Sequence, residues 1–245
     1  MKLTKLAGIW GFCMLFASCA TATETDQNAY ANLPREESSV IFEFDPMPST
    51  AQETSDVADA IVYGSVLSVS ATSNNVIIST PIEFSVEKSL KGDIEPGDVI
   101  IIKTNDGAML RSELRRGYTG ALKNAADRVN KKQNTKLSSE EDALVVQLMP
   151  YGGLFTPGTR EVLCLGHRDE AEKNMYYIAH GAYCRQIELA DGEFADISEV
   201  KDSMEKMGFS ELEAPDPALM PENLSEKVEE KYSLEQIEAM YGLQK

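Results

Sequence analysis

The chain has 245 residues, 40 of them acidic against 23 basic, and a formal net charge of −17. That balance argues against nucleic acid and against general attraction to an anionic bilayer. The length suits one domain of ordinary size with appendages. At the start, Lys2 and Lys5 precede a twelve-residue apolar run from Leu6 to Ala17. The run fits a secretory signal better than a membrane span, which takes about 20 residues. Ala17 and Ser18 then precede Cys19.

Phe16-Ala17-Ser18-Cys19 resembles the bacterial lipoprotein signal, in which an aliphatic residue and two small ones sit before a cysteine that is diacylated and becomes the mature N-terminus. Phe16 departs from the usual leucine, with Leu15 one place earlier. The resemblance implies a signal peptide over residues 1–18, lipidation of Cys19, and a place on the extracytoplasmic face of a bacterial membrane. The alternatives are an ordinary cleaved signal with a buried Cys19, or an uncleaved anchor. Two acyl chains, at about 0.8 kcal/mol per buried methylene, anchor stably where one does not. Losing Lys2 and Lys5 moves the formal charge from −17 to −19. Ala20 stands where the family's inner-membrane retention signal places Asp, which points to onward export if the host has an outer membrane.

Residues 19–50 are rich in Thr, Ala, Asn, Glu, Ser and Pro, the composition of a flexible tether. Such a length spans on the order of 30 Å r.m.s.. One interruption, Val40-Ile41-Phe42-Glu43-Phe44, is apolar enough for a strand or a docking segment, and Pro46 and Pro48 end it.

A β domain is expected over residues 51–190. Ala60 to Val69 reads as a long first strand bent at Gly64. Val76 to Val86 reads as a second strand in which Pro81 implies an edge or a bulge, and the glycines and prolines between Ser89 and Asp98 make the turn. Val99 to Lys103 is a third strand closed by Asn105-Asp106-Gly107. Glu161 to Leu165 and Met175 to Ala179 make the fourth and fifth, and Gly181 turns the chain into Tyr183 to Leu189.

Between the third and fourth strands a helical insertion is expected over 108–149. Leu122, Ala125, Ala126 and Val129 recur at helical spacing, and Ser138 with Glu141 would cap a helix through Ala143-Leu144-Val145-Val146. Five strands with helix between the third and fourth is the order of an OB-fold-like five-stranded Greek-key barrel. The runs Ala58 to Val66, Val86 to Asp93 and Phe155 to Leu165 resemble the OB-like netrin/TIMP-type modules of secreted and lipid-anchored bacterial proteins, over roughly residues 55–190. In that family the animal inhibitors ligate a protease metal through an N-terminal cysteine with a free amine. An acylated Cys19 on a tether, with no cysteine opening the core, departs from that pattern, so inhibition does not carry over directly.

Cys164 and Cys184 are the other mature thiols. An even pair outside the membrane invites a disulfide. A hairpin of 161–166 with 175–180 would instead set Cys164 opposite about Tyr177, and bridging needs Cα atoms within about 7 Å. A disulfide and two small buried apolar side chains both remain open. His167 and His180 belong to no ligand motif, and the chain has no Gly-Xaa-Ser-Xaa-Gly elbow, phosphate loop or zinc-spaced cysteine set. No catalytic, metal or cofactor residues are assigned. Tyr151-Gly152-Gly153-Leu154-Phe155 either presents aromatics to a sugar or peptide, or uses Phe155 to staple the loop to the core.

Residues 191–245 read as an acidic helical extension. Ile197, Val200, Met204 and Met207 form one stripe ended by Gly208; Leu224, Val228 and Tyr232 form another. Ser233 with Gln236 caps a last helix through Leu234, Ile237, Met240 and Tyr241. These stripes pack on the core or on a second protein. Ala190 to Lys245 holds fifteen acids against five lysines, while Arg111 to Lys136 holds eight basic residues against two acids. The two stretches either face each other, or the basic one meets lipid headgroups or anionic wall polymer. The expectation is a non-catalytic, lipid-anchored binding module of the cell envelope, partnered by the membrane and by an envelope protein or glycan. An inhibitor or regulator of an envelope protease, and an envelope hydrolase working through a carboxylate pair, are the alternatives.

Overall fold

A computed structural model describes residues 33–38, 47–74, 76–120, 143–166, 174–179 and 181–243. The lipobox, the Val40 to Phe44 run, the Leu122 to Val129 stripe, the Ser138–Glu141 pair and both histidines lie outside them. In chain order the elements are β1 (Arg35–Glu37), α1 (Ala51–Val57), β2 (Ala60–Val69), β3 (Thr72–Asn74), β4 (Ile77–Lys91), β5 (Val99–Thr104), β6 (Gly107–Leu110), α2 (Arg111–Arg116), β7 (Leu144–Gln147), β8 (Arg160–Leu165), β9 (Met175–Tyr177), β10 (Arg185–Glu188), β11 (Phe194–Asp196), α3 (Ile197–Lys206) and α4 (Leu234–Met240).

The fold is mainly β and has two sheets. The larger runs β11-β10-β8-β2-β4-β5-β9, with β3 hairpinned onto β4. Its neighbours are antiparallel except β5 and β9, where Ile101, Ile102 and Lys103 pair in parallel with Met175, Tyr176 and Tyr177. The path is open and does not make a closed barrel. Beyond β9, an isolated antiparallel bridge joins Ile178 to Leu165 of β8. There Gly166 donates to the Tyr177 carbonyl at 2.7 Å and Ala179 to the Cys164 carbonyl at 2.9 Å.

Strict alternation gives β4 one buried and one more exposed face. Along β4 the even-numbered residues Ile78 to Val86 are buried and the odd-numbered ones are more exposed, as a half-buried strand requires. Ile82, Phe84, Ile100 and Ile102 thereby meet Val62, Val66, Val162 and Cys164 in the principal cluster. The bend expected at Gly64 is a register shift between Tyr63 and Gly64. A Cβ on Gly64 would stand 1.9 Å from the Ser85 carbonyl oxygen, so only glycine admits that approach.

The smaller sheet, β1-β7-β6, corrects the helical reading of 108–149. Residues 107–110 and 144–147 are antiparallel strands, and β1 joins β7 in parallel. Leu144 and Val146 face one apolar cluster while Val145 faces another. A strand buried on both faces shows a continuous apolar run, which periodicity alone does not separate from a helix. The described helical part of that insertion is α2.

Residues after 190 continue the sheet and its core. β11 pairs with β10, and Tyr232 adds a further bridge to Phe194. The Leu224, Val228 and Tyr232 stripe is therefore no α-helix: a 3-10 turn spans Leu224–Glu226, and Tyr232 gives its backbone to the sheet edge. α3 buries Val200 and Met204 in a second cluster with Leu189 and Ala214. α4 carries the expected Ser233–Gln236 capping box and sends Ile237 and Tyr241 into the principal core.

Candidate functional site

The outward face of the large sheet carries the most exposed apolar surface on any strand. The register aligns Ser68 of β2 with Glu83 of β4, Glu83 with Ile101 of β5, and Ile101 with Met175 of β9. One row over, Pro81, Lys103 and Tyr177 align, and Val99 lies opposite Ser85. Leu67, the extra residue at the β2 register shift, joins this face. Leu67 and Val99 are each 48% exposed, Tyr177 38% and Ile101 37%. A lone exposed apolar residue is ordinary; four on adjoining strands, set around Glu83 and Lys103, form a surface suited to a partner. Glu83 is held by Ser68 Oγ at 2.9 Å.

Within the same sheet, a buried ion pair between β8 and β10 fixes the loop that precedes β8. Arg185 donates from Nε to Glu161 Oε2 at 2.7 Å and from Nη2 to Oε1 at 2.8 Å, and both side chains are essentially without exposure. The same guanidinium donates to the Gly153 and Leu154 carbonyls and lies 3.6 Å from the Phe155 ring centre. Four of the five guanidinium N–H groups are thus directed at acceptors, two of them on the paired carboxylate, which is the kind of environment in which a buried pair is tolerated. Phe155 sits in the principal core, as the stapling reading expects, while Tyr151 is 44% exposed at φ 58.

A third feature lies between the two sheets. Asp106 follows β5 and is buried; its Oδ1 accepts from Met149 N at 2.6 Å and its Oδ2 from Thr104 Oγ1 at 2.7 Å. Burial pushes its pKa up to about 6, against the partial relief of those two bonds and of the Arg185 charge. It shares a cavity of about 30 Å³ with Thr80, Ala108, Leu154 and the buried Arg35–Asp216 pair. Thr80 Oγ1 has no hydrogen-bond partner among the described residues. So small a cavity admits about one or two waters and excludes a substrate.

Cys164 and Cys184 are both buried, unbonded thiols in the principal core. Among the described residues there is no group of three or more His, Cys, Asp or Glu side chains placed to hold a metal ion. No described helix is long and apolar enough to cross a membrane. Cys19 and the two histidines are outside the described residues, so no geometry attaches to them.

The search for known relatives returned no matching family model, no matching curated protein and no matching solved structure. Sequence reasoning passed over Asp106, Glu161, Arg185, Arg35 and Asp216. For Glu161 and Arg185 there was little local signal, because each lies at the charged start of its strand, Arg160-Glu161-Val162-Leu163-Cys164-Leu165 in β8 and Arg185-Gln186-Ile187-Glu188 in β10.

Proposed function

We propose that the chain is a lipid-anchored, non-catalytic interaction module on the extracytoplasmic face of a bacterial envelope. Its outward β2-β4-β5-β9 face binds an envelope protein or glycan. The observation that carries this reading is the exposure of Val99, Ile101 and Tyr177 on adjoining strands in register, with exposed Leu67 at the β2 register shift. Anchoring follows from the resemblance of Phe16 to Cys19 to the lipoprotein signal.

An OB-type core makes the same face the binding face. Support for that architecture comes from the neighbour order β2-β4-β5-β9, the parallel β5–β9 pairing, and the Leu165–Ile178 bridge that leads from the end of β9 back to β8. In such folds the second and third strands present the ligand surface; here those are β4 and β5. A net charge of −17 disfavours the oligonucleotides that many OB folds take.

Two measurements test the proposal. Mass spectrometry of the N-terminal peptide from membranes should show a diacylglyceryl cysteine at Cys19, lost in Cys19→Ser; an unmodified N-terminus refutes anchoring. A photo-crosslinking residue placed at Ile101 or Tyr177 in intact envelopes should capture one defined protein or glycan, and the same residue at Val57 on α1 should not. Equal capture from all three positions would refute the assigned face.

A further inference from the structure

The hairpin that set Cys164 opposite Tyr177 is not the pairing that β8 makes at that point. Arg185 lies opposite Leu163, and the antiparallel ladder extends one step further, where Cys164 N donates to the Cys184 carbonyl at 2.9 Å. Cys164 and Cys184 are therefore directly opposed. Opposed residues of an antiparallel pair have Cα atoms about 4.5–5.5 Å apart and side chains on one face. A disulfide accepts Cα separations of about 4.4–6.8 Å. Both side chains belong to the same core cluster. In the thiol state they turn to separate carbonyls, Cys164 Sγ lying 3.9 Å from Tyr183 O and Cys184 Sγ 3.8 Å from Tyr151 O. Rotation about the Cα–Cβ bonds is the main change that joining them requires.

We propose that Cys164 and Cys184 are a redox pair that closes into a cross-strand disulfide. Each Sγ gives up its hydrogen, one Sγ–Sγ bond forms, and the disulfide of an extracytoplasmic thiol–disulfide oxidoreductase is reduced to two thiols. The supply of that oxidant rests on the envelope location proposed above; the geometry of the pair does not. Burial pushes the Cys164 thiol up to about 12 and raises Cys184 further, so neither ionises readily in the folded chain. Closure therefore belongs to the folding chain, and the finished bond is shielded from exchange.

The bond would have a mechanical consequence at the binding face. β8 changes partner at Cys164, which donates to Cys184 while its carbonyl accepts from Ala179. The segment between the two cysteines contains β9 and Tyr177. A disulfide ties both ends of that segment and closes it into a covalent loop. Closing the loop also restricts the unfolded chain and so favours the folded one.

The test uses the full chain carrying Cys13→Ser and Cys19→Ser, which leaves only this pair and needs no export. It is refolded from urea in a glutathione redox buffer, then denatured, alkylated and weighed. The expected result is a mass lower by two hydrogens, no alkylation, a return to two alkylated thiols on reduction, and a higher denaturation midpoint for the closed form. The further change Cys184→Ser should abolish the intramolecular bond. Refolded protein carrying two thiols, or glutathione adducts in place of the bond, would overturn the proposal. Loss of crosslinking at Ile101 with the bond intact would count against the binding face alone.

Discussion

Asp106 is the titrating residue with the most to report. Its carboxyl is buried, accepts two hydrogen bonds, and has its pKa raised from 3.8 to about 6. Between those values the folded chain holds a proton that the unfolded chain has released. Stability contributed by this group is therefore fully present below about pH 4 and is lost as pH rises through about 6. The span corresponds to roughly 3 kcal/mol. Asp191 and Glu213 shift the opposite way, lowered by hydrogen bonds from Lys231 and Ser210, but they are exposed enough for solvent to weaken their effect. Comparison with Asp106→Asn isolates the buried group, since Asn keeps an acceptor for Met149 N and cannot ionise. The wild type should gain stability relative to this variant in urea titrations run from pH 7.5 down to 4.5. Parallel profiles for the two proteins would show that Asp106 does not titrate in that window.

At the scale of elements, β2 and β4 make the most extensive pairing of the molecule, and their register shifts are what let a long hairpin bend over the core. Gly64 is the tightest of these points, its missing Cβ leaving room for the Ser85 carbonyl. Gly64→Ala should destabilise by about 1–3 kcal/mol or more, because the obstruction is backbone and cannot rotate away. A chemical denaturation midpoint equal to wild type would refute that account. This bend was legible in the sequence, as were the bounds of β2 and the capping box of α4, because each follows from a local rule about glycine, alternation or side-chain capping. β7 was not, because both faces of Leu144 to Gln147 are covered and the period that separates strand from helix disappears. The opposition of Cys164 and Cys184 was also hidden. It depends on β8 exchanging β10 for the end of β9 within two residues, a long-range choice that no local pattern encodes. The exposed apolar face was partly legible, since Val99-Ile100-Ile101-Ile102 announces a strand, but which residues point outward became definite only from the register with β4 and β9.

For the whole molecule, the open question was whether the acidic C-terminal stretch belongs to the β domain or waits for a partner. α4 closes the end of the principal core: Ile237 and Tyr241 are each 1% exposed, and the Tyr241 hydroxyl donates to the Tyr183 carbonyl at 2.6 Å. Its ionic contact with the sheet, Lys88 to Glu238, joins two side chains that keep substantial exposure and adds little. The attachment is therefore apolar, and salt should not release it. Ending the chain after Tyr232 would remove Ile237 and Tyr241 from the principal cluster and leave the Tyr183 carbonyl without the Tyr241 hydroxyl. The expected loss is several kcal/mol, since deleting one buried large side chain costs about 2–5 kcal/mol. Tyr241→Ala should show a large part of it, and Tyr241→Phe only about 1 kcal/mol, the worth of one hydrogen bond. In the intact chain, limited proteolysis should cut beyond Ala214 no faster than within the sheet, at low and high salt alike. Rapid removal of residues 233–245 with the sheet left intact and the midpoint unchanged would show instead that α4 is a detachable arm, and its apolar stripe would then be free for a second protein.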